Sequence, residues 1–213
     1  VDEEEINIPV TTEIEVMLSR LPKCVSRDLC DEWSVEFCHS NSKIARRKLV
    51  KALFNVPKIR HELLPHYSRI AATLAQELPD IGTNLMLMLE DEFSTFVVKK
   101  DPHNLETKIK SVRFIAELAK FGVAKATQAF FCLQTCLDDF QHHNVEVACH
   151  LLETCGRYLY RRPDTHIRCR NLLDVMMRLR ASKNLEARLD AMIENAFYMC
   201  RPPETSATVH KTR

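Results

Sequence analysis

The sequence predicts an all-α fold, a helical-repeat solenoid of about ten helices in five antiparallel hairpins, and three observations carry that expectation. Apolar residues recur at spacings of three and four along nearly the whole 213-residue chain, with none of the sustained alternation a strand needs. Pro22, Pro57, Pro79, Pro102 and Pro163 stand at or near the breaks between periodic stretches, where a fixed φ and a missing N–H do least harm. Five hairpins of about 40 residues each account for the length. Because the repeats share no strict sequence identity, a globular helical bundle is the competing architecture.

Helices are expected at 11–20, 26–39 and 43–54, the first closed by Pro22 and the third by Pro57. Trp33, with Val35, Phe37 and Cys38 around it, belongs to the core on this reading, since its helix has no second apolar stripe. The fourth helix, 64–77, must accommodate Pro65, which fits a first turn with 60–63 as lead-in. Pro79 separates it from 81–98. In 105–121 Ile109, Val112, Ala116 and Ala119 share an inward face, which sends Lys110, Arg113, Glu117 and Lys120 to solvent or to a partner. Gly122 then suits the C′ position.

The seventh helix is expected at 125–140 and the eighth at 143–160. In the eighth, Val145, Ala148, Cys149, Leu152, Cys155 and Leu159 share one face and Glu146, His150, Glu153 and Arg157 the other, with Glu153 four residues before Arg157 in the favourable order. A mid-helix glycine costs about 1 kcal/mol against alanine, so Gly156 marks close helix packing. After 164–181 the last helix carries Leu189, Met192, Ile193, Ala196, Phe197 and Cys200 on a core-facing stripe. An acidic linker, 1–10, and a basic tail, 202–213, flank a helical domain over 11–201.

Composition excludes several functions. Lys and Arg nearly balance Asp and Glu, for a formal charge of +1, so no nucleic-acid clamp is announced. The three glycines, Gly82, Gly122 and Gly156, are too scattered for a phosphate-cradling loop. The longest run free of charged residues, 126–137, falls short of the roughly 18 apolar residues that cross a bilayer, so no membrane association is expected. Residues 1–5 are acidic where a signal peptide is basic and then apolar, which predicts an excised domain of an intracellular protein. Nine cysteines, an odd number spread through amphipathic helices, read as reduced core thiols of a cytosolic or nuclear protein. Cys132, Cys136, His142 and His143 lie close enough in sequence to weigh as a zinc site, but lack finger spacing, and buried thiols are the preferred reading. Glu90-Asp91-Glu92 reads as a solvated face, and Asp138 and Asp139 as connector residues.

Several stretches resemble a known family. They are Arg47-Lys48-Leu49-Val50-Lys51-Ala52-Leu53-Phe54, the run Leu64-Pro65-His66-Tyr67-Ser68-Arg69-Ile70-Ala71-Ala72-Thr73-Leu74, and Glu106-Thr107-Lys108 with Val112-Arg113-Phe114-Ile115-Ala116-Glu117-Leu118. The most specific is Asp139-Phe140-Gln141-His142-His143-Asn144-Val145-Glu146-Val147-Ala148-Cys149, leading into Leu151-Leu152-Glu153-Thr154-Cys155-Gly156-Arg157-Tyr158-Leu159-Tyr160. Over about 18–203 the chain resembles the middle domains of eukaryotic initiation factor 4-gamma type, and among them the second of the three carried by the scaffold family of nonsense-mediated messenger RNA decay. The resemblance implies HEAT-like helical hairpins, no enzymatic activity, no cofactor, and a monomer working in messenger RNA surveillance in the cytoplasm, including its perinuclear part. The implied partners are other nonsense-mediated decay proteins and adjoining middle domains of the same chain. In that family the third middle domain is associated with the up-frameshift three protein and a separate C-terminal segment with the up-frameshift one helicase, and neither site transfers to this chain.

The remaining candidates are basic. Arg46-Arg47-Lys48, Lys99-Lys100 and Arg161-Arg162 concentrate charge, and Lys110, Arg113 and Lys120 recur along one helix. These form a candidate surface for an acidic protein segment or for RNA, the RNA contact being weak and sequence-blind because few aromatic residues interleave with the charges. The expected function is therefore a non-catalytic scaffold acting through protein contacts, with an RNA-binding module as the alternative.

Overall fold

The computed structural model describes residues 8–98 and 104–202. Among them every regular element is helical, and no helix is long and apolar enough to cross a membrane. The acidic stretch 1–7, Lys99, Lys100, Pro102 and the tail from 203 onward lie outside the described residues. The chain divides into two compact units, Val1–Cys132 and Leu133–Arg213.

The first unit contains α1 (Ile8–Ser19), α2 (Arg27–His39), α3 (Lys43–Phe54), α4 (Leu64–Ala75), α5 (Pro79–Val98), α6 (Leu105–Lys120) and the start of α7 (Ala126–Asp138). Serines set two of the starts. Ser26 accepts the Leu29 N–H at 3.3 Å and Ser42 the Ala45 N–H at 3.1 Å, which satisfies donors that a first turn leaves orphaned. Pro22 sits in a 3₁₀ turn, Leu21–Lys23, and Pro65 in the first turn of α4 behind a second 3₁₀ turn, His61–Leu63, as its backbone requires. The end of α6 is a Schellman motif: Gly122 at φ +78° donates to the Ala119 carbonyl, and the next amide, Val123, to Leu118.

Packing in this unit follows alternate helices. α3 contacts α1 and α5 in one layer, α4 contacts α2 and α6 in the other, and α5 packs across on α4 and α6. This is the HEAT-like stacking of hairpins rather than a globular bundle. Trp33 and Phe37 are buried with their rings stacked 5.5 Å apart, and the indole N–H donates to the Met17 carbonyl at 3.2 Å, so the core reading of Trp33 holds.

The second unit contains the rest of α7, then α8 (His142–Leu151), α9 (Arg157–Arg161), α10 (Pro163–Ser182) and α11 (Ala187–Cys200). A π turn, Leu152–Gly156, joins α8 to α9 without leaving helical φ and ψ, so the two form the single rod expected at 143–160. α11 packs along this rod and α10 packs on α9 and α11. Gly156 is where the rod and α11 meet: a Cβ there would collide with Cys200 Sγ. The thiols also supply donors at the turn, Cys200 toward the Leu152 carbonyl and Cys169 toward that of Gly156, each at 3.8 Å.

Candidate interaction surfaces

The helix expected to present an outward basic stripe is instead the most enclosed of the first unit. α6 lies between α4 and α5, so residues on nearly every face are covered: Thr107, Lys108, Lys110, Ser111 and Glu117 are buried together with Val112, Phe114, Ile115 and Leu118. Lys110 does not reach solvent. Its Nζ lies 3.0 Å from Glu92 Oε2, 4.6 Å from the centre of the Phe54 ring, and donates at 3.4 Å to the Phe54 carbonyl at the end of α3, where a cation suits the helix dipole. The Ser111 hydroxyl donates to the same oxygen, Glu92 Oε2, and Lys110 Nζ also donates to Glu92 Oε1 at 3.1 Å. Glu117 turns inward and pairs with Lys120 at 2.9 Å; Lys120 is exposed and Arg113 half-buried. An apolar face places one side of a helix, but how many neighbours crowd the others is a tertiary matter.

The acidic run on α5 is corrected for the same reason. Asp91 is exposed, whereas Glu92 anchors the buried pair and Glu90 accepts from the Gln128 side chain at 2.6 Å.

On α3 the three adjacent cations part company. Arg46 reaches Asp80 at the start of α5 at 2.9 Å, Lys48 reaches Glu15 of α1 at 2.8 Å, and Arg47 stays exposed. Lys43 and Lys51 are exposed on the same ridge, four residues to either side of Arg47. The sequence reading missed those two, though the signal was present: α3 has cations at i, i+4 and i+8 and not one acid.

In the second unit Arg162 pairs with Asp164 at 2.7 Å, donates to the Tyr158 hydroxyl at 2.6 Å and lies over the Tyr158 ring; it holds the Asp164 carboxyl below its usual range. Arg161 is exposed. Glu153 pairs with His150 at 3.2 Å, and no ion pair to Arg157 forms. Glu153 lies within the π turn, and His150 stands on the preceding turn rather than the following one.

Cys132 and Cys136 are buried in α7, and among the described residues no group of three or more His, Cys, Asp or Glu side chains could hold a metal ion. The buried thiols Cys149 and Cys200 are pushed up to about 12, and Cys30 and Cys169 to about 11, by desolvation of the thiolate. Cys38 alone among the cysteines, all in described residues, is exposed. Asp138 ends α7, and the Asp139 carbonyl accepts from the Asn144 side chain at 2.9 Å, the connector role expected of them.

The MIF4G domain model matches residues 17–203, nearly the span of the resembling segments. The chain belongs to the MIF4G domain family. Within it, this MIF4G chain is 57% identical over 199 residues to the regulator of nonsense transcripts UPF2 of Arabidopsis thaliana and 47% identical over 201 residues to regulator of nonsense transcripts 2 of Homo sapiens, in each case over more than nine-tenths of its own length. It is 31% identical over 204 residues, 96% of its length, to nonsense-mediated mRNA decay protein 2 of Schizosaccharomyces pombe. It spans only 17%, 16% and 19% of those relatives.

Proposed function

We propose that this chain is a non-catalytic scaffold domain of the nonsense-mediated mRNA decay machinery, the second MIF4G domain of a regulator of nonsense transcripts. On this reading it works as a monomer in the cytoplasm, including its perinuclear part, through contacts with other decay proteins and with adjoining MIF4G domains. The observation that carries the reading is similarity, over nearly all of this chain, to regulators of nonsense transcripts from a plant and a mammal. The clustered polar groups agree with it, being ion pairs that brace helices against one another. Its test is to replace this region within a full-length relative by an unrelated helical spacer and measure the half-life of a reporter message carrying a premature stop codon. A longer half-life is expected; an unchanged one refutes the role. Exchanging the region for another MIF4G domain of the same protein, with loss of decay expected, tests its place as the second.

RNA contact is a second reading, favoured by the corner of α9 and α10. There Arg157 and Arg161 are exposed one turn apart, beside the half-buried rings of Tyr158 and Tyr160, the mixture of cations and aromatics that holds single strands. Binding of an oligonucleotide that weakens steeply with salt would support it, and salt-independent or absent binding would remove it.

A further inference from the structure

We propose that the outward ridge of α3, Lys43, Arg47 and Lys51, is a docking surface for an extended acidic segment of a partner protein. The proposal rests on the scaffold reading above and names the chemistry of one partner.

The ridge is defined by what is tied down around it. Ala45, Leu49, Val50 and Leu53 are buried, Arg46 is held on one flank by Asp80 of α5, and Lys48 on the other by Glu15 of α1. Lys43, Arg47 and Lys51 project between those flanks, exposed and without an ion pair to any described residue, and Ile44 beside them is 48% exposed.

Folding does not account for this arrangement. Lys43 is the first residue of α3, where the helix dipole disfavours a cation. Lys43 with Arg47 and Arg47 with Lys51 are like charges four apart, which weakens a helix, and there is no acid anywhere in α3 to relieve them. Lys51, in the last turn, suits the dipole but still repels Arg47, so the row as a whole carries like-charge repulsion that a neutralising ligand would relieve.

Spacing selects the ligand. Successive cations stand about 6 Å apart along the helix, close to the roughly 6.6 Å between alternate residues of an extended chain. Acidic residues at every second position of an extended segment would therefore meet all three, with an intervening apolar side chain free to cover Ile44. Nucleic acid fits less well, because the one aromatic residue of α3, Phe54, has its ring against the buried Lys110 rather than open to stack a base.

The test uses the whole chain and three fluorescent probes: a peptide with glutamate at every second position, its serine counterpart, and oligouridylate RNA. Wild type is expected to bind the glutamate peptide with an affinity that falls as salt rises, and to bind the other two more weakly. K43Q/R47Q/K51Q is expected to lose about tenfold or more of that affinity. Its thermal midpoint should hold or rise, because the substitutions remove repulsion and open no cavity. R47Q alone should show an intermediate loss. Equal binding by the triple variant, absence of peptide binding, preference for RNA, or a fall in the thermal midpoint would each overturn the proposal. Failure here is distinct from failure of the scaffold reading, which is judged by the half-life of the reporter message and not by this peptide.

Discussion

α3 and α6 read alike in sequence. Each is an amphipathic helix dense in lysine and arginine, five cations among 12 residues in α3 and four among 16 in α6, and each shows a plausible inward stripe. Their fates are opposite. α3 has a layer neighbour on either side, α1 and α5, and a free ridge between them, so its charges end in flank-bracing pairs or in solvent. α6 is packed by α4 and α5, and its charges are taken into the interior, where Lys110 survives only because Glu92, the Phe54 carbonyl and the Phe54 ring surround it. Charge density therefore says little about where a functional surface lies; the number of helices packed around each element says much more.

Substitutions can break or sharpen that contrast. The largest effect is expected from Lys110→Glu, which would set two carboxylates against each other in a buried site: about 5 kcal/mol or more of stability lost in denaturant unfolding. A loss below about 1 kcal/mol would mean that α6 is not enclosed as described. Charge reversal at Lys110, Arg113 and Lys120 together, harmless had they formed an outward stripe, is expected to unfold the chain for the same reason. Glu92→Gln keeps an acceptor for Ser111 but leaves Lys110 without its counter-charge, and about 3 kcal/mol should go. Lys120→Ala removes the exposed partner of Glu117 and should cost about 1 kcal/mol. At the other end, Arg47→Gln on α3 should change stability by no more than about 0.5 kcal/mol, with a gain the expected sign.

The cysteines sharpen the same distinction without charge at neutral pH. Cys38 should react quickly with a thiol reagent in the native state, and Cys149, Cys155 and Cys200 slowly. For Cys149 and Cys200 the folded value, about 12, lies above the ordinary 9.0. Their contribution to stability is complete below pH 9 and is lost as pH rises from there toward about 12, because only the unfolded chain can then release the proton. Denaturant unfolding from pH 8 to 10.5, with Cys149→Ala as comparison, measures it.

Much of the fold was legible because it depends on local rules. Pro65, Pro79 and Pro163 each start a helix, Gly122 takes the left-handed C′ position, and the 3-and-4 spacing of apolar residues locates each rod. The cost of Gly156 in mid-helix, together with the family resemblance, marks a close approach, and Cys200 is what approaches. Other features left no local trace. The π turn at Leu152–Gly156 is one, and Glu153 within it pairs with His150 rather than with the Arg157 that spacing favours. The candidate surface is half visible in the sequence: Arg47 stands in a run of adjacent charges, whereas Lys43 and Lys51 join it only once a helix groups residues four apart.

By itself, then, the sequence determined the helical class, the ends of most helices, the burial of Trp33 and of most cysteines, and family membership, since each follows from neighbours along the chain or from direct similarity. Tertiary structure alone decided which charges are available. Whether a lysine meets water, a carboxylate or an aromatic ring depends on helices distant in sequence, Glu92 lying 18 residues and Phe54 lying 56 residues from Lys110. One helix's periodicity specifies its inward side and carries no information on how many partners will cover the rest.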